Sequence, residues 1–265
     1  MISVYTFTLG RPLYLHKVLK AVIGAAAEYE GSIEHHICFQ AVEPDASTVE
    51  LIEQARGGRL GFRIHSWSEN IGISAGMNRI VPQLRGNLII KMDDDCLIRS
   101  DDFFSHVAAI AELKPRAVFS PFPVGLVQDP GGPPAVDRHV VHSRRTDTYY
   151  TFRRVDHVGG LCRIAPSEIV RSWVMEPNVS IGGSDDNQHS ALCLAHGVDM
   201  FYLENALVVE HLESSLGQRA RYGEYLTTKE RSRHDYRSRS LFQRGVTRVE
   251  RGVYKITTRL RRLSQ

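Results

Sequence analysis

The run Leu88-Ile89-Ile90-Lys91-Met92-Asp93-Asp94-Asp95-Cys96 constrains this chain more than any other stretch. A short apolar run flanked by polar residues reads as a buried strand. The three carboxylates then fall at its exposed end, where an α/β sheet keeps its ligands. Side chains two apart on extended backbone point the same way, so Asp93 and Asp95 are expected to converge while Asp94 faces elsewhere. Converging carboxylates repel unless a proton or a cation lies between them. A hard divalent metal is the simplest occupant, and with so few protein ligands substrate phosphates would complete its shell. The competing reading is a solvated acidic turn capping the helix after Ser100-Asp101-Asp102, so the rest of the chain has to decide.

At 265 residues and 42% hydrophobic, the chain can bury a full core. No stretch approaches the roughly 20 apolar residues of a membrane span, and the first residues read as a strand rather than a leader, which predicts a cytoplasmic protein. Cys38, Cys96, Cys162 and Cys193 lie far apart and form no Cys-x-x-Cys pair, so they are expected to be reduced, mostly buried thiols. The formal net charge of +3 is nearly balanced, but most of the basic excess lies in the last fifty residues.

The elements alternate. Ile2 to Thr8 is rich in β-branched and aromatic residues and stops at Leu9-Gly10-Arg11-Pro12; Leu15, Val18, Leu19, Val22 and Ile23 then recur at helical spacing. Strands are predicted over 33–41 and 62–67, with a helix from Ser47 to Gly57-Gly58 between them, and a small-residue loop, 70–78, leads into another helix. This order predicts an α/β fold with a mainly parallel sheet flanked by helices. Further on, a helix to Leu113, a strand over 117–120, a mobile Pro- and Gly-rich loop over 121–134 and a strand over 149–158 are predicted. A helix from near Pro166, a helix over 187–195 and extended pieces over 200–203 and 206–209 complete this part. Residues 216–265 differ in character: Val249, Val253, Ile256, Leu260 and Leu263 keep helical spacing among arginines and lysines. That predicts a basic, partly amphipathic helical extension. It would pack on its own domain, lie on an anionic membrane surface or face another polyanion.

The succession of parts is more specific than any one part. In order, the chain holds a strand ending at Thr8-Leu9-Gly10-Arg11-Pro12, an Asn-x-Gly-x-x-x-Gly-x-Asn loop, a strand ending in Asp-Asp-Asp, Ile181-Gly182-Gly183-Ser184-Asp185-Asp186 before a helix, and a late His211. This order resembles the family 2 glycosyltransferases of the GT-A fold, over about residues 2–215. The resemblance implies that Thr8 and Arg11 line a nucleotide pocket, and that Asn70, Gly72 and Asn78 lie along a diphosphate. It implies that Asp93, Asp94 and Asp95 form the Asp-x-Asp motif, with Asp93 shared between ribose and metal and Asp95 a metal ligand. Gly160, with Gly159, would lie near the donor sugar, His211 would join Asp93 and Asp95 in the metal shell, and Asp185 would be the general base, with Asp186 able to exchange roles.

Chemistry gives reasons for these residue types. A divalent cation stabilises the charge that develops on a diphosphate leaving group, and a carboxylate at a helix start stays ionised and can accept the acceptor's proton. An imidazole in the shell favours Mn²⁺ over Mg²⁺. Departures from the family pattern include Phe7, Gly10, Met77 and Ser184, and no Asp-Gly-Ser turn follows the second strand, where Gln40 is left to meet the base.

The expected function is therefore inverting, metal-dependent transfer of a sugar from a nucleotide-sugar donor, UDP-linked, to an acceptor hydroxyl. The acceptor would be a glycan, a protein, a lipid or a modified nucleic acid. Two other classes compete: a degenerate fold kept as a carbohydrate-binding or assembly module, and a sugar-nucleotide nucleotidyltransferase, whose Gly-rich phosphate loop Leu9-Gly10-Arg11-Pro12 is too sparse in glycine to supply.

Overall fold

A computed structural model of the chain describes residues 1–56, 58–125, 137–176 and 184–212. The predicted start holds. β1 (Ile2–Thr8), α1 (Pro12–Ala27), β2 (Ile33–Gln40), α2 (Ala46–Gln54) and β3 (Leu60–Trp67) follow in turn. Then come α3 (Ile73–Ile80), a 3-10 turn (Val81–Gln83) and β4 (Leu88–Met92). Pro12 opens α1 where its missing N–H costs nothing, and Tyr14, Leu15, Val18, Leu19 and Val22 form the stripe that α1 buries. Asp45 caps α2 by accepting from the Thr48 N–H at 3.0 Å.

β3, β2, β1 and β4 run parallel in that spatial order. The second half is mixed: β5 (Cys96–Ile98), α4 (Phe103–Leu113), β6 (Ala117–Val124), β7 (Arg138–Ser143), β8 (Thr148–Arg154), β9 (Cys162–Pro166), α5 (Ser167–Arg171), α6 (Ser184–Ala195) and β10 (Asp199–His211). β9 lies antiparallel to β4 and β6, and the main path of the sheet reads β3-β2-β1-β4-β9-β6-β10-β8-β7, with β5 paired to β10. One apolar layer joins α1 and α4 to the sheet, with Val18, Val22, Phe103 and Phe104 fully buried. A second layer on α3, α5 and α6 includes Met77, Ile80, Ile169, Val170 and Cys193. All four cysteines are buried free thiols.

Several expectations change. β4 stops at Met92, and the Cys96 N–H bonds the Asp93 carbonyl at 3.1 Å, so the acidic triplet is a turn and not an extended strand end. Strands β5, β7 and β9 lay hidden in the sequence: three residues, a polar edge and a run broken by Arg163 give no clear period. β6 continues through Pro121 and Pro123 to Val124, so the expected 121–134 loop starts later, and its remainder is outside the described residues. The two extended pieces near residue 205 are one strand, β10, with a register shift between Leu203 and Val208 and Ala206 at φ 68. Gly182, Gly183, the expected domain limit at 215 and the 216–265 extension also lie outside the described residues. Among the described residues no helix is long and apolar enough to cross a membrane.

Candidate active site

At the end of β1 the chain must turn sharply into α1. Gly10 does so at φ +85, where a side chain would be strained and its Cβ would sit 3.2 Å from Val42. The turn brings Thr8 and Arg11 onto the acids that follow β4. Thr8 Oγ1 donates to Asp94 Oδ2 at 2.7 Å, Arg11 Nε donates to the same oxygen at 3.0 Å, and Arg11 Nη2 donates to Asp94 Oδ1. Arg11 Nη1 reaches Asp95 Oδ2 at 2.8 Å. One guanidinium thus neutralises two buried carboxylates, a geometry suited to its planar fork. Asp94, expected to face elsewhere, is the more fully engaged of the two, because the turn replaces the alternation that an extended backbone would impose.

Strand β5 explains how a residue so far along the chain reaches this corner. It pairs antiparallel with β10 and sets His211 opposite Cys96. The Leu212 N–H bonds the Asp95 carbonyl at 2.9 Å, and His211 Nε2 lies 3.5 Å from Asp95 Oδ2.

A second group of charges lies beside β4 and β9. Lys91 is buried, and its Nζ donates to Asp93 Oδ1 at 2.5 Å and to the Gly160 carbonyl at 2.6 Å. Burial works against its charge, but Asp93, Asp185 and Asp186 outweigh it and hold the ammonium protonated above its ordinary range. Arg163, also buried, donates through Nη1 to Asp186 Oδ1 at 3.3 Å. Asp185 and Asp186 fall in the first turn of α6. Burial pushes Asp185 up, yet Lys91 and Arg163 bring its carboxyl below the usual value. Asp186 goes the other way: burial and then the Asp185 charge raise it to about 7. Their access differs as well. Asp185 is 3% exposed with an Oδ2 that has no hydrogen-bond partner, whereas the Asp186 side chain is 21% exposed. Asp186 is lodged against Gly160, where a Cβ would lie 2.2 Å from its Oδ1. Asp93 feels both groups: burial raises it first, Lys91 lowers it and Asp95 raises it, leaving it above its ordinary value.

The residues expected along the nucleotide hold the loop itself. Asn70 Oδ1 accepts the Gly72 N–H at 3.0 Å, and Gly72, at φ 79, begins α3. Gln40, expected to offer its amide to a base, is buried and accepts the Ile71 N–H at 3.1 Å, because the β2 end packs under this loop. Asn78, expected along the diphosphate, donates to the Met175 carbonyl at 2.6 Å and accepts the Met175 N–H at 2.8 Å, so it joins α3 to the segment after α5.

The expected metal shell can be tested on its donors. Asp95 Oδ2 lies 3.5 Å from His211 Nε2 but also accepts from Arg11 Nη1 at 2.8 Å, while the Asp93 carboxylate is turned to Lys91. Among the described residues no three His, Cys, Asp or Glu side chains are gathered for a metal. A cation here would take Asp95 and His211 and draw the rest of its shell from water and a diphosphate. Sequence reasoning missed Lys91, Arg163 and Tyr5, the last buried with its hydroxyl pushed up to about 12 by burial. The available signal was a Lys within an apolar strand, since a buried Lys requires an acidic partner.

A family model described as glycosyl transferase family 2 matches residues 3–162, more than half of the chain. No curated protein matches the sequence. Among solved structures, GalNAc-T7 with UDP, GalNAc and Mn²⁺ is similar at TM-score 0.61 and 13% identity, over 87% of this chain and 48% of that one. S. aureus TarS 1-349 in complex with UDP-GlcNAc is similar at TM-score 0.57 and 15% identity, over 80% of this chain and 60% of that one. The mannosyltransferase PcManGT from Pyrobaculum calidifontis, in complex with GDP-Man and Mn²⁺, is similar at TM-score 0.53 and 11% identity, over 97% and 82%. This chain spans about half the length of the first of these, and the likeness is one of fold, which is the expected GT-A type. With the family model covering β1 to the start of β9, the chain belongs to glycosyl transferase family 2.

Proposed function

We propose that this chain transfers a sugar from a UDP-linked donor to an acceptor hydroxyl by a single inverting displacement, with Asp186 as general base. The observation that carries this reading is the unequal carboxylate pair at the start of α6. Asp185 is buried and held ionised by Lys91 and Arg163, while Asp186 is partly exposed, lodged on Gly160 and raised to about 7. A base poised near the working pH is ionised often enough to accept a proton and basic enough to take it. Asp186 is therefore preferred to Asp185, which the sequence had favoured.

In the reaction the acceptor oxygen bonds the anomeric carbon as its proton passes to Asp186, and the bond from that carbon to the diphosphate breaks on the opposite face. Thr8 and Arg11 hold Asp94 and Asp95 in place, and Asp93, steadied by Lys91, offers a carboxylate to the ribose. A divalent cation, Mn²⁺ before Mg²⁺, held by Asp95 and His211, would supply positive charge against the departing diphosphate. UDP is preferred because two of the three neighbours above carry it. We also assign residues 216–265 to a separate basic extension that contacts a polyanionic acceptor or an anionic membrane surface. Deleting it would flatten the salt dependence of acceptor binding.

The test is transfer from UDP-sugars on the full chain with Mn²⁺, followed by NMR of the product anomer. Asp186→Asn is expected to abolish transfer while UDP binding persists, and a chelator to stop the wild type. Full activity in that variant, or a product with retained configuration, would overturn the assignment.

A further inference from the structure

A second cavity opens on the α3, α5 and α6 side of the sheet. The Asp93–Asp95 turn follows the last residue of β4, whereas α5 begins one residue after Pro166, which pairs with Leu88 at the first residue of β4. Toward that opposite end, α3, the 3-10 turn, α5 and α6 line an open cavity of about 760 Å³. Its walls are apolar and adaptable: Met77, Val81, Leu84, Val170, Trp173 and Met175. Its size and lining suit a small organic molecule.

The polar groups at this cavity have one sign. Arg85 and Arg171 line it, and none of its described lining residues is acidic. Arg85 is already paired with Glu34. Arg171 is exposed, donates one bond to the Leu84 carbonyl and makes no ion pair with a described residue, so its guanidinium has donors left for a ligand. Asn78 spends its amide on the Met175 backbone. His189 does not: it is 1% exposed, its Nδ1 faces the Cys193 thiol at 3.5 Å, and its Nε2 has no hydrogen-bond partner. A buried ring nitrogen without a partner loses the hydrogen bond that water would give it, which a ligand atom can restore. The imidazole meets the Trp173 ring edge-on, with centroids 5.4 Å apart, and both residues line the cavity.

We propose that this cavity binds a small organic anion with an apolar, ring-bearing body. The ring packs against Trp173 and the methionines, the anionic group meets Arg171 at the mouth, and a polar atom of the ligand meets His189 Nε2 inside. The cavity borders the proposed catalytic cleft: α6 lines it one turn beyond Asp185 and Asp186, and Met77, Val170 and His189 also line a small pocket with Lys91 and Arg163.

Two dyes of the same shape test it on the full chain: 8-anilinonaphthalene-1-sulfonate, which carries one anionic group, and N-phenyl-1-naphthylamine, which carries none. Fluorescence titration, with Trp173 as energy donor, is expected to show one saturable site for each. Arg171→Gln, at an exposed position, should weaken the sulfonate about fivefold and leave the neutral dye within about twofold. Val170→Trp, which narrows the cavity, should weaken both dyes, with a melting curve to verify folding. If Arg171→Gln binds both dyes like the wild type, or a folded Val170→Trp variant binds them unchanged, the proposal fails.

Discussion

Replacing Arg163 by Met tests the acid–base arrangement most directly, because Met keeps an unbranched apolar stem and removes the charge that faces Asp186. The guanidinium lies 3.3 Å from Asp186 Oδ1. At an effective dielectric of about 20 that separation corresponds to roughly 5 kcal/mol, an upper bound. Asp186 is one-fifth exposed, and Arg163 also faces Asp185 and Tyr5, so much of this is screened or shared. A rise of about 1–2 pH units in the Asp186 carboxyl is the reasonable expectation. Since a base must be ionised to accept a proton, wild-type kcat/KM should climb through about pH 7 and then level. In Arg163→Met the climb should move to higher pH, with activity recovered at pH 9. A raised folded-state value favours folding at low pH and loses that advantage as pH rises through it, so the variant should be comparatively more stable at pH 6 than at pH 9. The assay is initial rate against pH at sub-saturating donor, with a urea midpoint at each pH. A folded variant whose ascending limb stays at the wild-type pH would refute the reasoning.

Other perturbations follow from the same geometry. Gly160→Ala should lower kcat well below wild type with little change in donor KM, because the new methyl would press on Asp186 at 2.2 Å; an unchanged kcat would show that Asp186 is free to move aside. Lys91→Met should cost about 3–5 kcal/mol in urea unfolding, since Asp185 and Asp93 lose a buried cation; a loss under about 1 kcal/mol would mean that the charges are hydrated. Acid should destabilise the fold well above carboxylate pH. Burial, then the His36 charge, pulls His35 down to about 3, while an unfolded His takes its proton near 6.5. The unfolded state binds more protons throughout that window, so stability falls with pH below about 6.5 by roughly 1.4 kcal/mol per unit for this residue. His35→Gln should shallow the slope between pH 6.5 and 5, and an unaltered slope would remove His35 as its source.

Much of the fold was legible because local patterns agreed with it. The apolar stripe of α1, the β-branched run of β1 and the Asp45 cap each follow from period or side-chain chemistry over a few residues. β9 was not, because Arg163 interrupts it and its partner Asp186 is 23 residues away. β5 is three residues long and exists only through its pairing with β10.

The candidate site divides in the same way. Sequence by itself determined which groups are present: three acids after a buried strand, two acids at a helix start, an Arg after a Gly turn and a late His. Tertiary structure decided what each one faces. It folded the triplet into a turn, so that Asp94 and Asp95 share Arg11 and Asp93 goes to Lys91. It also made the neighbouring carboxylates unlike, with Asp185 buried and held ionised by the charges of Lys91 and Arg163, and Asp186 one-fifth exposed, bonded to Arg163 and lodged against Gly160. Residue type fixes an intrinsic proton affinity, but burial and charges brought in from distant strands set the value at the site, and only the packed chain specifies those distances.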